Sequence, residues 1–577
     1  MGGYEGRLEL TWTNKALRLL AHEDGSYEWV PPSDYRVAEV RLLHNAGTVG
    51  EVAPEAERAR DNLLIRGDAL NALTSLIELP EFAQEYVGKV KLAYLDPPFN
   101  TQQSFLQYDD ALEHSVWLTM MRDRLAQIKT LLSPDGSVWV HCDDSEQAYL
   151  KVMMDEVFGS DNFVTTFIWR KVDSPNDNKV AITPDHDYIL CYTKFPGSAR
   201  FRRMPDPSIL AAFRSVAADG RRYRDRLLKK NGKGSLREDR PSMYFPIPTP
   251  DGDVVYPIHD DGREARWSVG QDTVDKWLAQ DRMIEDPDAK NIIWKQRPAV
   301  NGFQWIPYTR EWAPLVPTRP WASIWLDVNT TRQAKAHLRS LFPGTTPFET
   351  PKPEELIARI VEITTGPDEI VLDCFLGSGT TAAVAHKMGR RWVTSERSRE
   401  TVDIFAVPRL SHVVAGTDPG GITEAMGWPG GGGFRILDVA PSMFEEAGGQ
   451  VFLSEWATNG RLAEATAAQL HYDYEHEPPF CGRRGRSRLA VVDGLVNEDV
   501  VRLVVDALGE GERVVVCGTA VDPAARDVVR KLRPGSSVRK IPQSILREYR
   551  QADRWVQLGL ANAAMANGEQ PAEAVRA

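Results

Sequence analysis

Two blocks of alternating strands and helices constrain the fold of this chain more than any other sequence feature. In the first block, the apolar run Val90–Leu95 has the length and composition of a buried strand. Apolar residues then recur every three or four positions from Leu118 to Leu132, as in an amphipathic helix, and after a turn at Ser133–Gly136 the next strand is Ser137–His141. A strand, a helix and a strand in this order predict a parallel α/β sheet, because parallel neighbours need a crossover connection.

A second block of the same kind lies further along the chain. It predicts a helix over Glu355–Ile363, a strand at Ile370–Leu372, a helix over Thr381–Met388 and a strand at Arg391–Ser395. The region between the blocks, residues 196–324, is instead rich in Pro, Gly and aromatic residues. We therefore expect one α/β sheet whose two halves are separated in sequence by an insert.

A smaller α/β pattern follows the glycine run Gly430–Gly433. It predicts strands near Leu489–Asp493 and Arg513–Cys517 with a helix over Asp499–Leu508 between them, which indicates a C-terminal lobe with its own core. The expected segments are an N-terminal extension 1–60, a first half of the sheet 61–195, the insert 196–324, a second half 325–415, a linker 416–440 and the C-terminal lobe 441–577.

Composition argues against several classes of protein. No apolar stretch approaches the ~20 residues that span a bilayer, and the N-terminus lacks a signal-peptide pattern, so we expect a cytoplasmic protein with no membrane partner. The five cysteines are scattered and form no CxxC pair. This spacing fits reduced thiols and argues against a disulfide framework or a zinc site, and we expect no metal.

Positive charge is concentrated in one segment of a chain whose net charge is −12. From Arg200 to Arg240 there are thirteen Lys/Arg and five Asp/Glu. Such a segment could present a face for phosphate groups, or it could be a solvated loop. The candidate DNA-binding residues are Arg221, Arg222, Arg224, Lys229 and Lys230.

The segment Asp96-Pro97-Pro98-Phe99 comes directly after the first predicted strand, where ligands bind in open α/β sheets. Two prolines remove two N–H donors, and an ionised Asp side chain only accepts hydrogen bonds. An acidic oxygen and a neighbouring carbonyl could therefore accept both hydrogens of an –NH2 group while Phe99 stacks on its ring. These four residues are candidate catalytic residues; the alternative is an ordinary strand-end turn.

A glycine-rich loop, residues 373–381, follows the strand Ile370–Leu372 in the same way. Its glycines allow a tight turn and close approach of the backbone to a ligand, and Glu396 at the end of the next strand could hold ribose hydroxyls. The pattern Gly377-x-Gly379-x-x-Ala382 also matches the dinucleotide fingerprint, so a dehydrogenase or another nucleotide-binding module is an alternative. A dehydrogenase, however, has no use for Asp-Pro-Pro-Phe on the same sheet.

Together, Asp96–Phe99 and Phe375–Gly379 resemble the two motifs of DNA amino-methyltransferases, [D/N/S]PP[Y/F/W] and FxGxG. Their order, with a long insert between them, resembles the beta class of that family. Spacings from Asn62 to Phe158, with Ser323–Trp325 and Trp428–Phe434, are similar to those of modification subunits of type III restriction–modification systems. The resemblance implies a Rossmann-like sheet that binds S-adenosylmethionine, with a circularly permuted motif order and a target-recognition insert.

The resemblance also implies a set of cofactor-binding residues. Asp68 is expected near the adenine of the cofactor, and Lys352, in the segment before the glycine loop, near its methionine part. The full set is Asp68, Lys352, Asp373, Phe375, Gly377, Ser378, Gly379, Thr380, Thr381 and Glu396.

The implied activity is methyl transfer to adenine N6 of a base flipped out of duplex DNA, with S-adenosylhomocysteine as product. Asp rather than Ser at the first motif position favours adenine, and cytosine N4 is the alternative target. A recognition subunit without its own catalysis is a further alternative. The implied partners are double-stranded DNA, a second copy in a homodimer and a restriction subunit with helicase and nuclease activity, with the C-terminal lobe serving assembly.

Overall fold

A computed structural model describes residues 9–541, apart from 22–25, 33, 35–36, 38, 100–102, 105–108, 111–112, 174–181, 280–291, 300–301, 347, 443, 448–449 and 454–459. It separates into two compact units. The first comprises residues 1–201 and 323–577, and the second comprises residues 202–322.

A sheet of ten strands forms the centre of the first unit within its described residues. In chain order these strands are β1 (Leu43–Gly50), β2 (Asn62–Arg66), β3 (Val90–Leu95), β4 (Leu132–Cys142), β5 (Phe163–Arg170), β6 (His186–Thr193), β7 (Ile324–Trp325), β8 (Ile370–Asp373), β9 (Arg391–Glu396) and β10 (Gly433–Val439).

The spatial order of the strands is β7-β5-β6-β4-β3-β8-β9-β2-β10-β1. Strands β6 and β1 pair antiparallel with their neighbours, and the central strands from β4 to β10 are parallel. The two predicted halves therefore join in one Rossmann-like sheet at the β3–β8 pair, although 274 residues separate the end of β3 from the start of β8. This pairing brings the carboxyl ends of β3 and β8 side by side.

The longer helices beside this sheet connect many of its strands. They are α1 (Ala69–Glu78), α2 (Pro80–Tyr86), α3 (His114–Leu131), α4 (Gln147–Phe158), α5 (Thr331–Leu341), α6 (Glu354–Thr364), α7 (Thr380–Lys387) and α8 (Val407–Ala415). Strand β3 is almost wholly buried, as its continuous apolar sequence predicts for a central parallel strand. Trp117, Met121 and Leu125 of α3 are fully buried in the same core, which confirms the predicted amphipathic helix.

Two local expectations differ from the structure. Ser133–Gly136, predicted as a turn, lies inside β4, where the pairing with β3 shifts register between Val90 and Leu92. The segment 416–440, predicted as a linker, contains a helix, Thr423–Met426, and the strand β10. Phe434 and Leu437 of β10 are fully buried, and this apolar burial places the strand in the sheet between β2 and β1.

The N-terminal residues form a hairpin, Arg18–Ala21 with Tyr27–Val30, that packs on α3. Trp12 Nε1 donates to Thr119 Oγ1 at 2.8 Å, and the Arg18 guanidinium contacts the Asp123 carboxylate at 2.6 Å. Arg122 of α3 also donates to the carbonyl of Leu17 at 2.9 Å. The hairpin thus becomes part of the first unit.

The C-terminal lobe has a second sheet with strands β11 (Asp473–Glu477), β12 (Phe480–Arg484), β13 (Ser487–Val496), β14 (Arg513–Val521) and β15 (Ser537–Lys540). Its helices are α9 (Gly460–Gln469), α10 (Glu498–Asp506) and α11 (Ala525–Leu532). Separate clusters of buried residues lie in this lobe, but Leu495 belongs to the core of the main sheet. The lobe therefore shares one core residue with the sheet.

The second unit contains a four-stranded antiparallel sheet in the order Ser215–Val216, Arg222–Leu227, Gly302–Trp312, Ile292–Ala299. A helix, Gln271–Ala279, and a small core around Leu228, Phe245 and Trp267 complete it. This unit holds 21 Lys/Arg and 17 Asp/Glu, a net charge of +4 in a chain of net −12. Among the described residues of the whole chain, no helix is long and apolar enough to cross a membrane.

Candidate active site

A cavity of about 1180 Å³ opens at the carboxyl ends of β3, β8 and β9. Its lining includes all four residues of Asp96–Phe99 and most of the glycine loop. The two segments singled out in the sequence therefore line one cavity, because the strands before them are neighbours in a parallel sheet.

The catalytic-loop candidate, Asp96–Phe99, is fixed by α3. The carbonyl of Pro98 accepts a hydrogen bond of 2.6 Å from Trp117 Nε1, and the Trp117 ring is fully buried. The Asp96 carboxylate reaches the cavity with 21% of its side chain exposed. The loop thus presents a partly exposed hydrogen-bond acceptor to the cavity.

The Asp96 carboxylate is bound by a lysine. Lys352 Nζ lies 2.7 Å from both Oδ1 and Oδ2 of Asp96, and it lies 4.8 Å from the centre of the Phe99 ring. Lys352 is 8% exposed. The sequence predicts this lysine as a cofactor residue; in the structure it lines the cavity, and its ammonium contacts the Asp96 carboxylate.

Beneath Phe99 lies a buried polar chain that sequence reasoning missed. The His141 ring stacks on Phe99 with centroids 5.5 Å apart and is fully buried in β4. Its Nδ1 hydrogen-bonds Tyr94 Oη at 3.0 Å, and its Nε2 hydrogen-bonds the Asp187 carboxylate at 3.1 Å. Asp187 also accepts a hydrogen bond of 2.7 Å from Lys171 Nζ, and both line the cavity.

The protonation states of His141 and Asp187 in this polar chain follow from their surroundings. Burial, together with the nearby Lys352 ammonium, lowers the pKa of His141, so its neutral form is favoured. Burial alone would raise the pKa of Asp187, but the hydrogen bond from His141 and the charge of Lys171 hold it at about 2. The sequence signal for these buried polar residues is a histidine within the apolar stretch Val138–Cys142.

The glycine loop needs glycine at two positions. Gly377 has φ +53° and Gly379 has φ +85°, both in the left-handed region that other residues rarely adopt. A Cβ on Gly377 would lie 3.4 Å from the Phe348 ring, and one on Gly379 would lie 3.3 Å from the Ala406 Cα. The loop, in which Ser378 is buried, then leads into α7, where Thr380 and Thr381 are buried. Phe375, Gly377, Ser378, Thr380 and Thr381 line the cavity.

Two acidic residues at the ends of β8 and β9 also line the cavity. The Asp373 carboxylate accepts from Phe375 N at 2.9 Å, and burial raises the pKa of this carboxyl to about 7, with Asp96 and Glu396 adding to the effect. Glu396 accepts from Gly377 N at 2.8 Å and Ser398 N at 2.9 Å, and burial raises its pKa as well. Glu396 thereby ties the glycine loop to the neighbouring strand.

Asp68 lines the cavity at the start of α1, where its side chain accepts from Leu70 N at 2.8 Å. It also binds the buried guanidinium of Arg124, which donates to Oδ1 at 3.0 Å and to Oδ2 at 2.9 Å. Tyr27 of the N-terminal hairpin lines the same part of the cavity, and Arg397 donates to its hydroxyl at 3.2 Å. Arg124 and Tyr27 are further lining residues that sequence reasoning missed.

A second cluster of charged side chains lies among buried residues of the same unit. One potential metal-ligand atom each from His337, Glu354 and Asp418 lies within 4.8 Å of the other two. The Lys387 ammonium binds both carboxylates, at 2.7 Å from Glu354 and 2.5 Å from Asp418, and Arg409 donates to Glu354 at 2.9 Å. Two buried cations therefore compensate these carboxylates, and the cluster fits a structural ion-pair network.

The five basic candidates lie in the second unit on or beside its sheet. Arg221 pairs with Asp219 at 2.6 Å, Arg224 with Glu311 at 2.8 Å, and Lys229 donates to the carbonyl of Ile258 at 2.7 Å. Arg222 is exposed, and Lys230 is half-buried. Glu311 comes from later in the chain than the basic segment, so the local excess of positive charge in the sequence overstates the excess in space.

The model of a family described as DNA methylase matches residues 90–407. This match spans more than half of the chain and includes both motifs. The chain belongs to the DNA methylase family. The family covers enzymes that methylate N6 of adenine and N4 of cytosine.

Relatives within this family include subunits of restriction–modification enzymes. The chain is 30% identical over 449 residues to the "probable type III restriction-modification enzyme HindVI Mod subunit" of Haemophilus influenzae, covering 70% of this chain and 57% of that protein. It is 30% identical over 381 residues to the type III restriction-modification enzyme EcoPI Mod subunit of Escherichia phage P1, covering 58% and 56%. It is 28% identical over 317 residues to the type II methyltransferase M.KpnI of Klebsiella pneumoniae, covering 51% and 71%.

The chain thus aligns with just over half the length of these two Mod subunits. Among solved structures, the PvuII DNA methyltransferase (cytosine-N4-specific) aligns at 17% identity with a TM-score of 0.30, covering 60% of this chain and 86% of that one. A complex named M1.HpyAVI-SAM aligns at 16% identity with a TM-score of 0.29, covering 60% and 98%.

Proposed function

We propose that this DNA methylase transfers a methyl group from S-adenosylmethionine to the exocyclic amine of a base in duplex DNA, with adenine N6 as the target. One observation carries the proposal: a loop of hydrogen-bond acceptors, Asp96–Phe99, lines the same cavity as a glycine loop followed by the acid Glu396. An acceptor loop alone suits many ligands, and a glycine loop alone suits many nucleotides. Their combination suits an amine next to a nucleoside cofactor.

The cavity fits the cofactor chemically. S-adenosylmethionine carries a sulfonium and an ammonium, and the acidic side chains of Asp373 and Glu396 line the cavity. Gly377 lines the cavity and leaves room for a ligand to approach the backbone, room that a Cβ beside Phe348 would take. When bound, the cofactor supplies an electrophilic methyl group, so the protein has only to position the amine and exclude water.

The residues of the catalytic loop would then act on the amine. Asp96 and the carbonyl of Pro97 accept its two hydrogens, which favours a more tetrahedral nitrogen with an available lone pair. Trp117 Nε1 donates to the carbonyl of Pro98, and this hydrogen bond also restrains the adjacent carbonyl of Pro97. As the nitrogen–carbon bond forms, the carbon–sulfur bond breaks, its electron pair stays on sulfur, and the nitrogen releases a proton to Asp96 or to water.

The target base must leave the duplex to reach this loop, because the amine is inaccessible inside stacked DNA. Phe99 offers a stacking face, and its own underside is supported by His141. Asp at the first motif position favours adenine N6; cytosine N4 is the second candidate, since the family includes both.

DNA binding is proposed for the second unit, whose net charge of +4 contrasts with the acidic remainder. We further propose a role in a restriction–modification system, a homodimer, and a helicase–nuclease restriction subunit as partner, in line with the named type III relatives. The proposed setting is the cytoplasm, where thiols stay reduced, and all five cysteines are free. Light scattering on the full chain, and pull-down of a candidate restriction subunit, test the assembly.

Expression in a host without DNA methylation, followed by mapping of modified bases, tests the activity. N6-methyladenine at one sequence motif is expected, and N4-methylcytosine would replace the adenine assignment. Equilibrium binding of S-adenosylhomocysteine and of NAD distinguishes the methyltransferase from a dehydrogenase module. Cofactor binding with no modified base in any duplex would favour a recognition subunit without its own catalysis.

A further inference from the structure

We propose that Lys352 is a positioning residue of the catalytic loop, whose ammonium orients the Asp96 carboxylate toward the target amine. The proposal rests on the amino-methyltransferase function proposed above. It assigns Lys352 to the amine side of the reaction, whereas the resemblance of its segment to the family assigns it to the cofactor.

The geometry of the ion pair leaves Asp96 able to accept from an amine. Lys352 Nζ is 2.7 Å from each carboxylate oxygen, so it lies between them and occupies one acceptor position on each. An ionised carboxylate has about four acceptor positions. The outer positions therefore remain for the target amine, and the lysine orients the carboxylate without replacing its ligand.

The backbone of Lys352 is anchored on the cofactor side of the cavity. Its carbonyl accepts from Thr380 Oγ1 at 3.3 Å, and Thr380 lies in the turn that begins α7. Arg409 donates to the same Thr380 oxygen at 2.8 Å and is itself fixed by Glu354. The side chain then crosses the cavity to Asp96, so one residue links the glycine-loop segment to the catalytic loop.

The Lys352 ammonium lies in a cavity that is also lined by several acidic side chains. Asp96 shares the cavity with Asp373 and Glu396, and the negative charges of Asp96 and Asp373 repel one another. Lys352, which is nearly buried, supplies the opposing charge at the atoms where it is needed.

The experiment compares wild type with Lys352→Gln and Lys352→Arg on a duplex that carries the mapped site. We expect Lys352→Gln to lower kcat about 100-fold, which is the usual effect of removing one preorganised hydrogen-bond donor from an active site. The Kd of S-adenosylhomocysteine should stay within threefold of the wild-type value. Lys352→Arg keeps a cation that can pair with a carboxylate and should recover part of kcat. Lys129→Gln is the matched control, because Lys129 is a partly buried lysine with a cation–π contact outside the cavity.

A second measurement does not depend on activity. Thermal unfolding of the ligand-free variants Asp96→Asn, Lys352→Gln and the double variant should be non-additive, with the double variant losing less stability than the two losses together. Additive losses would overturn the coupling. A raised Kd for S-adenosylhomocysteine with kcat unchanged at saturation would overturn the assignment to the amine side. A wild type that binds cofactor but methylates no DNA would instead refute the proposed function, while the unfolding data still report on the pair.

Discussion

Cofactor affinity should depend on pH through Asp373. This carboxyl is 2% exposed, and burial raises its pKa to about 7, so it titrates near neutral pH. Its ionised form attracts the cationic groups of S-adenosylmethionine or S-adenosylhomocysteine, and its protonated form does not. Binding should therefore weaken as the pH falls from 8 to 6.

The magnitude follows from the pKa. With a pKa of about 7, the ionised fraction is about nine-tenths at pH 8 and about one-tenth at pH 6. If only the ionised form binds the cofactor, the Kd of S-adenosylhomocysteine should rise about tenfold between these pH values.

Isothermal titration calorimetry at pH 6, 7 and 8 measures this dependence. Asp373→Asn is the control, because it keeps the size of the side chain and removes its titration, so any slope that remains comes from the ligand or from other groups. We expect the variant to bind more weakly at pH 8 and with a flatter profile. The same pH slope in both proteins would refute the reasoning.

The same residue makes a prediction about stability. A carboxyl whose pKa is raised by folding stabilises the folded state below its unfolded pKa of about 3.9, and this contribution is lost as the pH rises through about 7. The ionised form of Asp373 above pH 8 therefore costs about 4 kcal/mol relative to an ordinary aspartate. Thermal unfolding without ligand should show Asp373→Asn gaining more in Tm at pH 8 than at pH 6, and a constant difference would contradict the linkage.

Three further predictions concern the catalytic loop, the glycine loop and the DNA-binding unit. Asp96→Ala should lower methyl transfer at least about 100-fold and leave the Kd of S-adenosylhomocysteine within severalfold; retained turnover would exclude its catalytic role. Gly377→Leu should weaken cofactor binding about tenfold, because Gly377 lines the cavity and its left-handed φ costs other residues about 1–2 kcal/mol; unchanged affinity by calorimetry would place the cofactor elsewhere. Replacing Arg222 and Lys230 with Ala should lower DNA affinity and reduce the slope of log binding constant against log salt concentration by up to about 0.9 per lost phosphate contact. The same substitution at Arg224, which pairs with Glu311, is the control. An unchanged slope would show that Arg222 and Lys230 do not contact DNA phosphates.

The sequence by itself determined the local elements that carry the chemistry. The apolar run before Asp96 is a buried strand, and its proline pair ends that strand at the cavity. The glycine loop is equally local, since Gly377 and Gly379 adopt positive φ values that their own sequence allows. These features depend on neighbouring residues in the chain, which is why a motif can predict them.

Only the tertiary structure decided which side chains face one another across the cavity. Lys352 and Asp96 are 256 residues apart, and His141 and Asp187 meet because β4 and β6 are adjacent in the sheet. The expected linker contributes a strand to the sheet, because β10 pairs with β2 and buries Phe434. Such contacts depend on strand order and register, and a shift of one residue along a strand would turn each side chain to the opposite face.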